Sequence, residues 1–323
     1  MRSPDTLKSL VHQSQEFIMS TTSSTPNTAA AEPPLCAAYD LEPRKPKITL
    51  PPLACDTHAH ICGPKAKYAY FPGRLYTPPD CLLPAYHYML ATLGVERAVL
   101  VQPSIYGTDN TVMLEAMKAA GPDFRGVAVV APDVAQSELK RLHAAGVRGV
   151  RVNIVDVPNR KAGTLPLAAL KKLARKVKPF GWHMEFLMHV DEFPDLDRML
   201  DDFPVPTVYG HLGYVKTDKG IENPGFQALL RMMKAGRAWC KLTGPYRISL
   251  QPLPHADTNS YAHALIAAAP EQVIWGTDWP HVMVRTPMPN DGDLADMLSA
   301  WVPDTATRKQ VLVDNPARLY SFK

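Results

Sequence analysis

From residue 53 onward the chain alternates between two patterns. Short apolar runs, many of them β-branched, occupy residues 53–58, 97–102, 126–130, 149–153, 183–188, 207–210, 238–242 and 272–275. Runs of this length and composition read as buried strands. Between them, stretches such as 111–120, 137–145, 167–177, 195–203, 226–235 and 261–268 repeat apolar residues at helical spacing, which gives each one an apolar face. Alternating strands and helices imply parallel strands joined by crossover helices. Eight such units across residues 49–323 predict an α/β fold, a (β/α)8 TIM barrel. An open doubly wound sheet fits less well, because no Gly-rich phosphate turn follows the first strand. The tail, residues 304–319, reads as a last helix packed on the barrel.

Residues 20–50 lack this rhythm and are rich in Ser, Thr, Ala and Pro. Such a composition buries little, so residues 1–48 are expected to form a flexible, disordered N-terminal arm. Pro43 and Pro46 disfavour helix, and residues 41–47 are expected to cross the barrel as an extended strap. Met19 is an alternative start. No signal-peptide pattern is seen at the N-terminus, and no run is apolar enough to span a bilayer.

Composition adds limits on partners. With 46% hydrophobic and 20% charged residues, the chain is an ordinary globular sequence. Its net charge is only +4, and its densest basic group (Lys171, Lys172, Arg175, Lys176, Lys178) has the spacing of a solvated helix face. Neither nucleic acid nor a membrane is expected as a partner. Five cysteines without a Cys-x-x-Cys favour free thiols in a cytoplasm over a disulfide framework. The sequence leaves a homo-oligomer open.

In a (β/α)8 barrel, catalysis takes place at the C-terminal strand ends. The first run ends in Asp56-Thr57-His58-Ala59-His60, and alternation along a strand points His58 and His60 the same way. The second ends in Gln102-Pro103-Ser104, and the fourth carries Arg151 and Asn153. The fifth holds Glu185 and ends near His189, and the sixth ends in His211. The seventh runs into Thr243-Gly244-Pro245-Tyr246-Arg247, and the eighth into Gly276-Thr277-Asp278-Trp279-Pro280-His281. Three histidines and a carboxylate suit Zn²⁺. Asp278 would act as general base toward water, while the metal or the histidines alone polarise a carbonyl. Arg151 and Arg247 offer forked donors for carboxylate or sulfonate oxygens.

Several polar residues have plainer readings. Ser104 has no Gly-x-Ser-x-Gly surround, so a hydrogen-bonding role outweighs that of a nucleophile. Glu185 reads as the partner of Arg151 or Lys241, or as a site residue. His281 either touches substrate or holds the Asp278 loop, and His183 is structural. His87, His143, His255 and His263 read as surface residues.

The motifs also carry a family resemblance. Asp56-Thr57-His58-Ala59-His60, Tyr209-Gly210-His211-Leu212-Gly213 and Trp275-Gly276-Thr277-Asp278-Trp279-Pro280-His281 resemble the amidohydrolase superfamily, amidohydrolase 2 type. Arg74-Leu75-Tyr76-Thr77-Pro78-Pro79, Gly107-Thr108-Asp109-Asn110 and Arg148-Gly149-Val150-Arg151-Val152-Asn153 narrow this to the branch of 2-pyrone-4,6-dicarboxylate lactonase and 4-sulfomuconolactone hydrolase. The resemblance implies hydrolysis of a small anionic lactone in bacterial breakdown of aromatic compounds. It matches His58, His60, His211 and Asp278 to the catalytic cluster, and Tyr76, Ser104, Arg151 and Arg247 to the substrate-binding residues.

The departures from the branch pattern point to substrate. Tyr214 and Val157 stand where the pyrone lactonase has arginines, and Leu187 replaces its tyrosine. A 4-sulfomuconolactone-like substrate is therefore favoured over the dicarboxylated pyrone, with Arg160 or Lys216 as sources of the missing charge. Zinc on His58, His60, His211 and Asp278 is the expected cofactor, with or without His189. The pyrone lactonase works without a metal, and Leu187 occupies a position where many superfamily members have a histidine. The alternatives are a pyrone dicarboxylate lactonase, a metal-dependent decarboxylase or hydratase, and a non-catalytic binder of acidic aromatics.

Overall fold

A computed structural model describes residues 32–155, 160–285 and 287–323. Eight parallel strands follow chain order around a nearly closed barrel. They are β1 (Cys55–Ala59), β2 (Arg97–Val101), β3 (Phe124–Ala128), β4 (Val147–Asn153), β5 (His183–Leu187), β6 (Thr207–Tyr209), β7 (Ala238–Leu242) and β8 (Val273–Trp275). The connecting helices are α1 (Leu83–Leu93), α2 (Thr111–Ala120), α3 (Gln136–Ala144), α4 (Leu167–Val177), α5 (Leu196–Met199), α6 (Pro224–Lys234) and α7 (Asn259–Ala268). The expected barrel is therefore the observed one, and β7, α2 and α4 keep the expected bounds.

The differences have local causes. The rhythm passed over α1, although Pro84 opens it and Gly94, in a left-handed conformation, closes it. Helix α5 is only a single turn, ending at Met199. The tail is longer than one helix. Helices α8 (Asp291–Asp296), α9 (Leu298–Trp301) and α10 (Thr305–Lys309) lead through a π-helical turn into α11 (Asn315–Tyr320).

Register decides which side chains enter the barrel. The pairing of β1 with β2 shifts between Asp56 and Ala59. Cys55 lies in the interior apolar cluster with Val99, Val127, Val208, Trp239 and Ile274. Strict alternation would then turn His58 outward; the irregularity re-aims it inward. Tyr320 of α11 joins the same cluster from below, so the tail plugs the barrel bottom.

The barrel closes through the segment after β8. Asp278 N–H donates to His58 O, and His60 N–H donates to Trp279 O, both at 2.8 Å. Thr57 Oγ1 adds a bond to Trp275 O at 2.7 Å. Gly276 permits this approach: a Cβ there would lie 2.7 Å from His58 N.

Residues 1–31 of the expected arm lie outside the described residues. Residues 32–48 contain neither a helix nor a multi-residue strand and are tied to the barrel. Leu35 bridges to Thr77, and Arg44 N–H donates to Asn290 Oδ1 at 2.9 Å. Arg44 also pairs with Asp293, and Lys47 N–H reaches Asp296 Oδ1 at 2.6 Å. Residues 41–47 thus form a strap across the start of α8.

Asn315 holds the plug in place. Its buried Nδ2 donates to Pro270 O at 2.8 Å and to Val273 O at 2.7 Å. Asn315→Ala leaves both carbonyls without this donor and should cost about 1–3 kcal/mol, read from denaturant unfolding; an unchanged midpoint would show that α11 docks without this bond.

Candidate active site

The strand ends bring four buried side chains together. The His58 ring lies edge-on to His60 and to His211, with centroids 5.0 and 5.4 Å away. Asp278 Oδ1 is 3.6 Å from His58 Nε2, and Asp278 Oδ2 is 4.0 Å from His211 Nδ1. His58 Nε2, His211 Nδ1 and Asp278 Oδ1 are all buried without a hydrogen-bond partner among the described residues. Buried polar atoms seldom stay unpaired, so three at one strand-end site mark a place for a ligand.

Backbone geometry sets these side chains. Asp278 has φ 68°, and residues 211–214 are left-handed in succession, with φ of 52°, 53°, 81° and 59°. Three of these four have a Cβ, which makes the turn costly; such strain collects at functional sites. It places the Tyr214 ring 5.3 Å from His211. Gly244, with φ 54°, makes room beside them: a Cβ there would come within 2.8 Å of both Asp278 Oδ2 and His211 Nδ1.

Each member has supporting contacts. Arg247 Nε donates to Asp278 Oδ2 at 2.6 Å, and Tyr246 O–H reaches the same oxygen at 2.7 Å. His60 Nδ1 lies 2.7 Å from Val101 O. A carbonyl only accepts, so the proton is on Nδ1 and Nε2 presents a lone pair to the site. Beneath His58, Lys241 Nζ donates to Glu185 Oε2 and Thr57 O at 2.7 and 2.8 Å and sits 3.2 Å from His58 Nδ1. Glu185 Oε1 is 3.3 Å from the same nitrogen. Of the two partners the sequence allowed Glu185, the structure thus selects Lys241.

The charges follow from these neighbours. Burial alone would raise the Asp278 carboxyl, but the Arg247 guanidinium and the histidines hold it well below the usual carboxylate range. Burial lowers His58, reinforced by Lys241. It lowers His60 and His211 further, with help from His58 and Arg247 respectively. Near neutral pH the cluster is thus an ionised carboxylate among neutral imidazoles.

The expected substrate residues occupy the surrounding strand ends and loops. Tyr76 is hydrogen-bonded to Ser104. Arg151 Nη1 donates to Gln102 O at 2.9 Å, and its buried Nε has no partner. Among the described residues no carboxylate lies within ion-pair distance of Arg151. Arg247 also bonds Val282 O at 3.1 Å. His189 stacks on Tyr214 with centroids 4.3 Å apart and bonds its carbonyl at 2.9 Å. Arg160 is already paired with Glu192 at 2.5 Å, and Lys216 Nζ donates to Arg247 O at 2.8 Å. Val157 lies outside the described residues.

Other sequence readings divide. His183 lies at the barrel bottom against Tyr320, lowered to about 4 by burial, as its structural reading requires. His87 and His263 are exposed and His143 is half-buried. His255, read as a surface residue, is buried and bonded to Gln251 O at 2.8 Å. Sequence reasoning overlooked Asp56. Its carboxylate accepts from Thr277 Oγ1 at 2.6 Å, Tyr86 O–H at 2.8 Å, Thr277 N at 2.9 Å and His58 N at 3.0 Å. Burial raises it to about 6, yet these donors make it the clamp between the β1 and β8 ends. Its place two residues before His58 was the available signal.

The donor set fits a divalent metal in part. Ligand atoms of His58, His60 and Asp278 lie within 4.8 Å of one another, whereas His211 stands outside that group. The His60 lone pair and the unpaired His58 Nε2 and Asp278 Oδ1 suit a cation.

A parallel barrel with this cluster at its strand ends defines a class of hydrolase scaffold. The chain belongs to the amidohydrolase family, whose model matches residues 55–322. It is 36% identical to the 4-sulfomuconolactone hydrolase of Hydrogenophaga intermedia over 85% of this chain and 90% of that protein. It is 34% identical to the 2-pyrone-4,6-dicarboxylate hydrolase of Comamonas testosteroni over 86% of this chain and 93% of that one. Its fold is similar to a solved probable 2-pyrone-4,6-dicarboxylic acid hydrolase from Acinetobacter baumannii, which has citric acid bound. That match has a TM-score of 0.73 at 27% identity and covers 84% of this chain and all of that one.

The buried Lys241–Glu185 pair makes the site floor sensitive to single changes. Lys241→Met strands a buried carboxylate and should cost about 3–5 kcal/mol, whereas Lys241→Met with Glu185→Leu should recover much of that loss. Urea unfolding of the three proteins checks this; equal losses in the single and double variants would mean the charges are not coupled.

Proposed function

We propose that the chain is a hydrolase that opens the ring of a small acidic unsaturated lactone, with a 4-sulfomuconolactone-like compound favoured. The observation that carries this reading is the geometry of Asp278: Arg247 is bonded to its Oδ2, and its Oδ1, unpartnered among the described residues, faces His58 Nε2 at 3.6 Å, in a site where no described carboxylate pairs with Arg151. Asp278 Oδ1 takes a proton from water as the water oxygen bonds to the lactone carbonyl carbon. The developing oxyanion accepts from the unpartnered ring nitrogens of His58 and His211 in their N–H tautomers, since His60 has its proton on Nδ1. The ring C–O bond then breaks, and Asp278 returns its proton to the leaving oxygen. One water is consumed, and the products are a carboxylic acid and a hydroxyl group on the carbon that carried the ring oxygen.

Tyr76, Ser104, Arg151 and Arg247 position the substrate. Arg151 anchors an acidic substituent, while Arg247 is largely committed to Asp278. Tyr214 and Leu187 offer no positive charge, and Arg160 is occupied by Glu192. This favours one strongly held anionic group over the two of the pyrone. A zinc ion held by His58, His60 and Asp278, with His211 beside it, would act as a Lewis acid on the carbonyl. A cytoplasmic setting suits the five free cysteines, and among the described residues no helix is long and apolar enough to cross a membrane.

The test is ring-opening absorbance on muconolactones, sulfomuconolactone and pyrone dicarboxylate, with and without chelator. Sulfomuconolactone should turn over best; preference for the pyrone dicarboxylate would select the second reading. Loss on chelation and recovery with Zn²⁺ would support the metal. Asp278→Asn should lower kcat by about 10²–10⁴ with the fold retained; near-normal turnover would remove Asp278 as base. Because the histidines are lowered and Asp278 is already ionised, kcat/KM should stay level from about pH 8 to about pH 6.5 and fall only below that. A loss beginning above pH 7 would contradict the neutral cluster.

A further inference from the structure

Asp278 is the near end of a buried chain of polar groups that continues away from the ligand space. Its Oδ2 receives Arg247 Nε at 2.6 Å and Tyr246 O–H at 2.7 Å. The Tyr246 oxygen is also 2.8 Å from His281 Nδ1. His281 Nε2 is 3.2 Å from Asp291 Oδ1. Asp278, His281 and Asp291 are each 1% exposed, and Tyr246 is 8% exposed. Neither the Asp291 oxygens nor His281 Nε2 make a hydrogen bond among the described residues, so the two face each other at ion-pair distance and His281 is the group placed to compensate the carboxylate.

Counting hydrogens gives the chain a direction. Tyr246 has one hydrogen and two neighbours within reach. Filling both contacts requires a second hydrogen, from Asp278 or from His281 Nδ1. Asp278 Oδ2 already accepts from Arg247 Nε at 2.6 Å and so acts as an acceptor, which leaves His281 Nδ1 as the source of the second hydrogen. That arrangement needs a proton held between His281 Nε2 and a carboxylate, and Asp291 supplies the carboxylate. Tyr246 O–H then points at Asp278 Oδ2. With Arg247 on the same oxygen, Oδ2 is saturated and Oδ1 alone is left to take the proton from water.

We infer that Asp291, acting through His281 and Tyr246, is a positioning residue that confines the basicity of Asp278 to Oδ1. Asp291 opens α8, thirteen residues beyond Asp278 in the sequence, with its side chain against His281. Removing its carboxylate leaves His281 free to accept the Tyr246 hydrogen at Nδ1. Asp278 Oδ2 then loses a donor, and the two carboxylate oxygens compete for the water. The loss falls on the chemical step and not on substrate capture.

The inference rests on Asp278 being the base proposed above. The experiment is steady-state kinetics on whichever lactone the panel selects, with thermal melts of each variant. Asp291→Asn should lower kcat about ten- to a hundredfold and leave KM within about twofold. Tyr246→Phe should do the same. The double variant should be no slower than Tyr246→Phe alone, because both changes interrupt one chain; a merely structural contribution would multiply instead. His281→Asn keeps a polar group at the Nδ1 position and His281→Gln keeps one at the Nε2 position. Both should be slow, and they carry the test if Asp291→Asn does not fold. Asn290→Ala removes the adjacent cap and strap anchor and should lower the melting temperature with kcat unchanged. Full kcat in Asp291→Asn, or multiplicative losses in the double variant, would overturn the inference. An active Asp278→Asn would instead overturn the assignment of the base.

Discussion

The arrangement depends first on how the barrel closes. The last strand does not meet the first along its length; the segment after it does, through Asp278 N to His58 O and His60 N to Trp279 O. Those two bonds fix the carboxylate and the histidine pair relative to one another. Gly276 removes the steric bar to this approach, and Asp56 gathers donors from both strand ends. A histidine pair on one strand and an aspartate more than two hundred residues later become a single site because one backbone seam joins them.

Charge is arranged in depth below that seam. Lys241 and Glu185 sit under His58, and Arg247 sits beside Asp278. Burial pushes each ionisable group toward its neutral form, and the fixed partners decide which groups resist. Asp278 resists because a guanidinium is bonded to it; the histidines do not, because burial outweighs the carboxylates of Glu185 and Asp278 beside them. The result is a base and neutral imidazoles at one pH, set by packing.

Much of the fold was legible because it rests on repetition. Eight short apolar runs separated by helical periodicity leave few alternatives to a barrel, and strand ends are where such a barrel works. The sequence therefore brings His58, His60, His211 and Asp278 to one end of the barrel. What escaped was whatever lacked periodicity. Helix α1 begins at a proline and has apolar residues on most sides. Tyr246 and Asp291 reveal themselves only by what they touch, and Asp56 was signalled only by its place two residues before His58. The inward turn of His58 depends on an irregular β1 pairing, which composition does not encode. The pairing of Arg160 with Glu192 was hidden too, since the sequence shows a spare cation where the fold has a neutralised one.

The left-handed turn at residues 211–214 bears on how the family can change substrate. The ring at position 214 lies 5.3 Å from His211, so a new side chain there changes the surroundings of the histidine cluster. The backbone filters such changes before any ligand does. A β-branched residue would suffer most at a φ of 59°, whereas glycine or asparagine would adopt it with little loss. Diversification at this corner is therefore channelled toward a few residue types by conformation, and a designer seeking a new lactone should search the neighbouring strand positions first.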